Sequence, residues 1–286
     1  MNQSAVIDGS IKIMVKKLLV EGRGAIILTG PSSCGKGEVA KGLRRFLSIP
    51  IERHLSMGDI LRLTIEKARK DEQFRIKLAA TYGISNELSV FDGENDYEGM
   101  YFKAKKNEKE LKEYFGDKEL ISQLDWLEFC TVNGLLVPDS WTIKIINAMF
   151  EDTEELRNEI FILDGYPRTV KAATELINTF VNFEVPVIKV IHLSITKDEM
   201  IKRALGRQRE DDNIESLERR FQFYIENVQP SIDYLKYRLG SNKVALIDAH
   251  QPVLNEGSEL DINRSIELVT LNVISSLGLP SYLLNL

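Results

Sequence analysis

The chain of 286 residues contains only two cysteines, Cys34 and Cys130, which is too few for a disulfide framework or for a zinc site built mainly from cysteine. It also has no excess of basic residues, and its net charge of −6 argues against nucleic acid or an anionic membrane as the main partner. No apolar run approaches the length that spans a bilayer, and no basic segment followed by a long apolar stretch opens the sequence. We therefore expect a globular protein of the reducing cytoplasm, without nucleic-acid or membrane partners.

Short apolar runs separated by helical patterns predict five buried strands. These runs cover residues 25–29, 51–55, 159–163, 187–193 and 243–247. Near-continuous apolar strands that alternate with helices are typical of a parallel sheet covered on both faces, so we expect an α/β fold. A further amphipathic helix is predicted at 8–21, ahead of the first strand.

One stretch, residues 63–133, interrupts this alternation. It contains no convincing buried strand, but dense charge around the Gly-, Asp- and Asn-rich middle FDGENDYEG. We interpret it as a mostly helical insertion, since charge runs of this kind usually mark a solvated face. The apolar tail LPSYLLNL either folds back on the core or pairs two subunits, so a monomer and a homodimer both stay open.

The first predicted strand runs into a turn with the spacing of a phosphate-binding loop. Gly30, Gly35 and Lys36 fit the pattern G-x-x-x-x-G-K between a strand and a helix. We expect the backbone amides of residues 32–37 to surround a phosphate, with positive charge added by the lysine and the helix dipole. For the loop taken alone, a glycine-rich turn without a ligand is the alternative.

Four other segments follow the loop. They are HLSMGDILR (54–62), GLLVP (134–138), FILDGYPRT (161–169) and the arginine-rich RALGRQREDDNIESLERRFQFY (203–224). In this order the motifs resemble those of the adenylate kinase family of nucleoside monophosphate kinases, over residues 25–62 and 134–275. The resemblance implies a P-loop kinase fold with a five-stranded parallel sheet in the order 2-3-1-4-5.

The same resemblance implies a domain organisation. The core is expected to comprise residues 1–62 and 134–286, with acceptor-site segments at 54–62 and 134–138 and a short lid at about 204–213. Residues 63–133 are then an insertion that enlarges the acceptor-binding region.

The function that the resemblance implies is transfer of the γ-phosphoryl group of ATP to a nucleoside monophosphate, AMP by family default, with Mg²⁺. Such chemistry needs two polyanions held in line, and arginine suits this task because its planar fork holds phosphate oxygens bidentately. The catalytic residues expected by resemblance are Lys36, Arg168, Arg207, Arg209, Arg220 and Asp211. The residues expected to bind ATP are Gly30, Ser32, Ser33, Cys34, Gly35, Lys36, Gly37, Glu38, Arg203 and Arg207. Those expected to bind the acceptor are Met57, Arg62, Val137, Gly165, Arg168, Arg209 and Arg220, and Asp164 is expected to hold the metal.

Some residues depart from the family pattern. Glu38 stands where the family has a threonine facing the magnesium shell, and its carboxylate either helps to hold the cation or repels the phosphates. Met57 and Ala172 replace residues that shape or read the acceptor-base pocket, so the acceptor base stays open. Cys34, beside Lys36, is a candidate for oxidation.

Two alternatives stand beside the kinase. One is a nucleotide-binding sensor with weak turnover, and the other is a P-loop kinase with a different acceptor. The three histidines, His54, His192 and His250, are expected to have structural roles.

Overall fold

The computed structural model of the protein describes residues 22–95, 98–116, 118–207 and 213–278. The strands in this part form one parallel sheet in the order β2-β3-β1-β4-β5. They are β1 (Gly24–Thr29), β2 (His54–Ser56), β3 (Ile160–Asp164), β4 (Val187–Ser194) and β5 (Val244–Asp248). The predicted α/β fold, its parallel sheet and its strand order are confirmed.

The second strand differs from its prediction at 51–55. Residues Ile51–Arg53 form a 3-10 turn after Pro50, and the strand begins only at His54. Ile51 is 63% exposed, so the apolar residue that suggested a buried strand does not enter the sheet. The strand is three residues long, lies at the sheet edge and pairs with β3, and its Leu55 is buried in the core.

Helices surround the sheet. They are α1 (Lys36–Leu47), α2 (Met57–Lys70), α3 (Glu72–Lys77), α4 (Met100–Lys106), α5 (Glu108–Phe115), α6 (Gln123–Asn133), α7 (Asp139–Asp152), α8 (Glu155–Asn158), α9 (Val170–Asn182), α10 (Lys197–Arg207), α11 (Ile214–Phe223), α12 (Gln229–Leu239) and α13 (Ile262–Ser276). Single π-helical turns extend α3 at Leu78–Tyr82 and α11 at Tyr224–Val228.

Two hydrophobic clusters cover the two faces of the sheet. Successive strand residues point to opposite faces, so Ala25 and Ile27 of β1 join one cluster while Ile26 and Leu28 join the other. The second cluster contains residues of α1 and α13. The first contains residues of α7, α9 and α12.

Residues 63–133 are mainly helical in the structure. They contain most of α2 and all of α3 to α6, and Leu78, Met100 and Leu111 are buried in the same cluster as Phe161 of β3. Since α2 runs across residue 62 and this cluster is continuous, the segment packs directly on the sheet core. Its status as an insertion separate from the core stays a prediction.

Three predicted features lie outside the described residues. They are the helix at 8–21, the apolar tail at 279–286, and about half of the lid, residues 208–212. Among the helices that the structure describes, none combines the length and the apolar character that a bilayer crossing requires.

Candidate active site

The carboxyl ends of the strands meet at one edge of the sheet, and the phosphate-binding loop follows the central strand. Asp164 of β3 pairs in register with Leu28 of β1, while His192 of β4 pairs with Thr29. The chain moves from β1 outward to β2 on one side and from β3 across to β4 on the other. A crevice at such a switch point is where open parallel sheets bind ligands.

The backbone of the loop requires glycine at its first position. Gly30 has φ 143°, and a Cβ atom there would lie 2.3 Å from the carbonyl oxygen of Leu193 in β4. Gly35, at the start of α1, has φ 92°, which also lies in the region that favours glycine. Ser33 takes a positive φ of 57° without being glycine. The loop is therefore held in a tight curl against β4.

Lys36 lies across this curl. Its ammonium donates to the carbonyl oxygens of Gly30 at 3.0 Å and of Pro31 at 2.8 Å. Among the described carboxylates none forms an ion pair with it. The loop thus surrounds a cation whose charge no described side chain neutralises.

The loop has the features of an anion cradle. The Ser33 hydroxyl is buried and finds no hydrogen-bond partner among the described residues. No described side chain caps the N-terminus of α1, so its amides stay available as donors. Apart from its chain neighbours and the backbone of its own helix, a Cβ built at Gly35 or Gly37 would meet no described atom within 4 Å. An unsatisfied hydroxyl, free amides and open space together fit the terminal phosphates of ATP.

Cys34 and Glu38 behave differently from what the loop motif predicts for their side chains. Cys34 is 2% exposed and packs in the core behind the loop, so the accessible thiol that oxidation needs is not there, and that prediction is wrong. Glu38 is exposed and its carboxylate accepts from Lys41 at 2.7 Å, one turn along α1. The Glu38 charge is therefore paired on the outside of the helix.

Asp164 ends β3 directly beside the loop strand. It is 8% exposed, and its Oδ2 lies 3.2 Å from His54 Nε2 of β2. In the described part of the chain no group of three potential metal-ligating side chains occurs. One carboxylate next to a phosphate site nevertheless fits Mg²⁺, because this ion keeps several waters and takes its other ligands from phosphate.

Arg168 is brought to the same edge by the turn after Asp164. The Gly165 amide donates to the carbonyl oxygen of Leu28 at 3.0 Å, and Arg168 Nε donates back to Gly165 at 3.0 Å. Burial lowers the pKa of the Arg168 guanidinium, and the charge of Asp164 opposes this shift. Arg168 forms no ion pair with any described carboxylate. It is a second cation at the site, influenced by the nearby charge of Asp164 but not ion-paired with any described carboxylate.

Two arginines near the predicted lid contact different parts of the chain. Arg220 of α11 lies against the first residue of the GLLVP segment, since a Cβ at Gly134 would be 2.9 Å from Arg220 Nε. Arg203 of α10 binds Glu199 at 2.6 Å and the carbonyl oxygen of Ala249, after β5, at 3.0 Å. The Arg207 side chain, Arg209 and Asp211 lie outside the described residues.

Comparison with known proteins gives one consistent result. Residues 127–239 match the family model for adenylate kinase. The chain is 25% identical over 284 residues to an adenylate kinase of Alkaliphilus oremlandii, covering 88% of this chain and 98% of the relative. It is 27% identical to an adenylate kinase of Corynebacterium urealyticum, with 84% and 95% covered. UMP-CMP kinase 3 of Arabidopsis thaliana is 34% identical over 124 residues, covering 42% of this chain and 56% of the relative.

The chain resembles the adenylate kinase family over most of its length. This places it among the phosphotransferases of the nucleoside monophosphate kinase class. The resemblance inferred from the sequence motifs is confirmed.

The positions at which the adenylate kinase family is expected to contact the acceptor base are closed in this structure. Met57 is 1% exposed, Val137 is 4% exposed and Ala172 is fully buried, and all of them lie in the same core cluster. Arg62, expected on the acceptor phosphate, is exposed and bonds to Asp59 at 2.5 Å in the first turn of α2. A base can contact these positions only if the acceptor side opens.

Two side-chain contacts at the site were missed by reasoning from the sequence. His54, expected to serve only in packing, contacts Asp164 across 110 residues of chain, and its place at a strand end was the available signal. His192 bonds through Nε2 to the Tyr224 hydroxyl at 2.8 Å, in the π-helical turn that follows α11. Tyr224 lies one turn after Arg220, so this contact anchors the helix that carries Arg220.

Proposed function

We propose that the chain is an ATP-dependent nucleoside monophosphate kinase that transfers the γ-phosphoryl group of ATP to a nucleoside monophosphate, with AMP as the default acceptor. One observation carries the proposal: Lys36 and Arg168 are partly buried cations that follow neighbouring strands at the same sheet edge, and no described carboxylate forms an ion pair with either of them. Burying an unpaired charge is costly, so such a site is built to receive an anion.

The proposed roles follow from the placement of each group. The loop amides, Ser33 and Lys36 hold the β- and γ-phosphates of ATP, while Arg168 holds the acceptor phosphate. An oxygen of the acceptor phosphate attacks the γ-phosphorus in line, and the bond to the β-phosphate oxygen breaks to leave ADP. Mg²⁺ bound near Asp164 would supply neutralising charge to the phosphates.

The remaining arginines complete the proposed site. Arg220, with Arg207 and Arg209 of the predicted lid, gathers on the transferring group, and Asp211 holds the lid arginines in place. Arg203 covers the donor base, in keeping with its bond to the chain after β5. Closure of the lid excludes water, which would otherwise compete as the acceptor.

A nucleotide-binding sensor with weak turnover is the second candidate. It is favoured by the burial of Met57 and Ala172, which closes the positions expected to read the acceptor base. For either function we propose a cytoplasmic location, which fits two buried free thiols.

The test is a coupled assay of ATP against AMP, GMP, CMP, UMP and the deoxynucleoside monophosphates. The kinase predicts 1–100 turnovers per second, the usual range for phosphoryl transfer by kinases, with at least one acceptor. Lys36→Ala should abolish transfer, whereas Lys41→Ala, a surface lysine of the same helix, should leave it unchanged. Turnover below about one per minute with every acceptor, where kinases usually reach 1–100 per second, would instead support the sensor.

A further inference from the structure

Glu98, in the segment between α3 and α4, adopts an unusual backbone conformation. Its φ is 56° and that of Gly99 is 71°, so two successive residues are left-handed just before α4 begins at Met100. A non-glycine residue rarely adopts this conformation without compensation from its surroundings. The contacts of the Glu98 carboxylate provide that compensation.

The carboxylate reaches two helices that are remote in sequence. Oε2 accepts the amide of Asp139 at 2.6 Å, and Oε1 accepts the amide of Ser140 at 3.3 Å. Oε1 also accepts from the ammonium of Lys171 in α9. Because Pro138 at the N-cap of α7 has no polar side chain, Glu98 caps this helix from a distant part of the chain. We call these three contacts the Glu98 bridge.

The Glu98 bridge leads directly to the proposed acceptor side. Helix α7 follows the GLLVP segment, and the Asp139 carboxylate accepts from the Thr169 hydroxyl at 2.7 Å. Thr169 caps α9 by accepting the amide of Ala172 at 3.0 Å, and it is the residue after Arg168. Glu98 is thus two contacts away from the turn that carries the proposed phosphate-binding arginine.

This arrangement differs from an ordinary surface ion pair. Only 25% of the Glu98 side chain is exposed, and two of its partners are backbone amides at the positive end of a helix. Exposed pairs contribute little, whereas a partly buried carboxylate that accepts several donors fixes the groups around it. Met100, two residues later, is 1% exposed in the same cluster as Met57, which ties the segment to the acceptor side a second time.

We propose that Glu98 is a positioning residue for the acceptor nucleotide, holding the start of α7 and the turn at Arg168 in their relative places. The proposal rests on the proposed kinase function and assigns to the segment 63–133 a role in acceptor binding. Loss of the bridge frees the turn that carries Arg168 while leaving the loop around Lys36 untouched. Acceptor binding should therefore weaken and ATP binding should not.

The experiment compares Glu98→Ala and Glu98→Gln with the control Glu94→Ala, an exposed carboxylate of the same segment. Glu98→Ala should raise the acceptor KM about tenfold, the scale of one lost charge-assisted contact, with the ATP KM within about twofold of wild type. Glu98→Gln keeps an acceptor oxygen for the α7 amides and should show a smaller increase. Glu94→Ala should match wild type.

Melting temperatures and calorimetric binding of ATP and of each monophosphate accompany the kinetics. An unchanged acceptor KM in Glu98→Ala overturns the proposal, as does an equal rise of both KM values with a lowered melting temperature, which indicates a merely structural role. In both cases wild-type turnover leaves the kinase function intact. If wild type does not turn over but binds a monophosphate, the binding ratio of variant to wild type decides on Glu98 alone. Wild type that neither turns over nor binds any monophosphate overturns both proposals.

Discussion

Acidification should destabilise the fold through one buried side chain, His192. His192 lies on β4 and is 5% exposed. Its Nε2 contacts the Tyr224 hydroxyl, and its Nδ1 has no hydrogen-bond partner among the described residues. Burial, assisted by the nearby Lys36 ammonium, lowers the pKa of His192 from 6.5 to about 4. The ring is therefore neutral in the folded protein at pH 7 and stays neutral well below the pH at which an unfolded histidine is protonated.

The size of the effect follows from this difference in pKa. Between pH 6.5 and pH 4 the unfolded chain binds a proton at His192 that the folded chain does not bind. The contribution of His192 to the unfolding free energy is therefore present above pH 6.5 and is lost as the pH falls through this window. A pKa lowered from 6.5 to about 4 corresponds to about 3 kcal/mol of unfolding free energy, at about 1.4 kcal/mol per pH unit.

Urea unfolding at a series of pH values between about 7 and about 4.5 measures this loss in wild type and in His192→Gln. Glutamine does not titrate and can still hydrogen-bond to Tyr224, so His192→Gln should lose less stability on acidification than wild type does. Parallel curves for wild type and His192→Gln would refute the reasoning.

Two further predictions concern the loop and the helical segment. Gly30→Ala should cost at least about 2 kcal/mol of unfolding free energy and remove ATP binding, because its Cβ would meet a carbonyl of β4 at 2.3 Å. The control Gly37→Ala, in open space on α1, should not lower the melting temperature. Calorimetry and thermal unfolding check both, and a Gly30→Ala protein of wild-type stability would contradict the loop geometry. Asp125→Asn should cost about 3 kcal/mol at pH 7, since this fully buried carboxylate binds Arg69 at 2.5 Å and Lys118 at 2.6 Å. Burial alone would raise the pKa of Asp125, but these hydrogen bonds hold it below 3.8. The contribution of Asp125 to the unfolding free energy is therefore present above pH 3.8 and is lost as the pH falls below that value. Acid unfolding in which wild type and Asp125→Asn have equal slopes would count against this reasoning.

The sheet could be predicted from the sequence because its strands are signalled locally. Four of the five strands are near-continuous apolar runs, and they appear within about one residue of their predicted bounds. The second strand was misplaced because the residues Ile51–Arg53 form a 3-10 turn after Pro50, and pairing with β3 begins only at His54. The sequence predicts that residues 63–133 are mostly helical but not the bounds of each helix, since charge density does not specify where a helix begins.

The predicted site is brought together only in part. Lys36, Asp164 and Arg168 follow strands that lie side by side, so their meeting at one edge follows from topology. The contact between Glu98 and Lys171 joins residues 73 apart, and no periodicity or local motif indicates such a pair. Cys34 was misjudged because the motif specifies the backbone of the loop and not the direction of this side chain.

Long-range side-chain contacts are therefore the part of the site that the sequence leaves open. They depend on how the segment 63–133 packs on the core, and packing of this kind is decided by shape and burial across the whole molecule.

The most direct test of the central claim is calorimetric binding of a bisubstrate ligand, in which a polyphosphate chain joins two nucleosides, to wild type, Lys36→Ala and Arg168→Ala. If the loop and the arginine serve one anion site, wild type binds one ligand per chain and each substitution weakens binding at least about tenfold, or about 1.4 kcal/mol. Binding that is unaffected by Arg168→Ala, or two independent ligands on one chain, would contradict it.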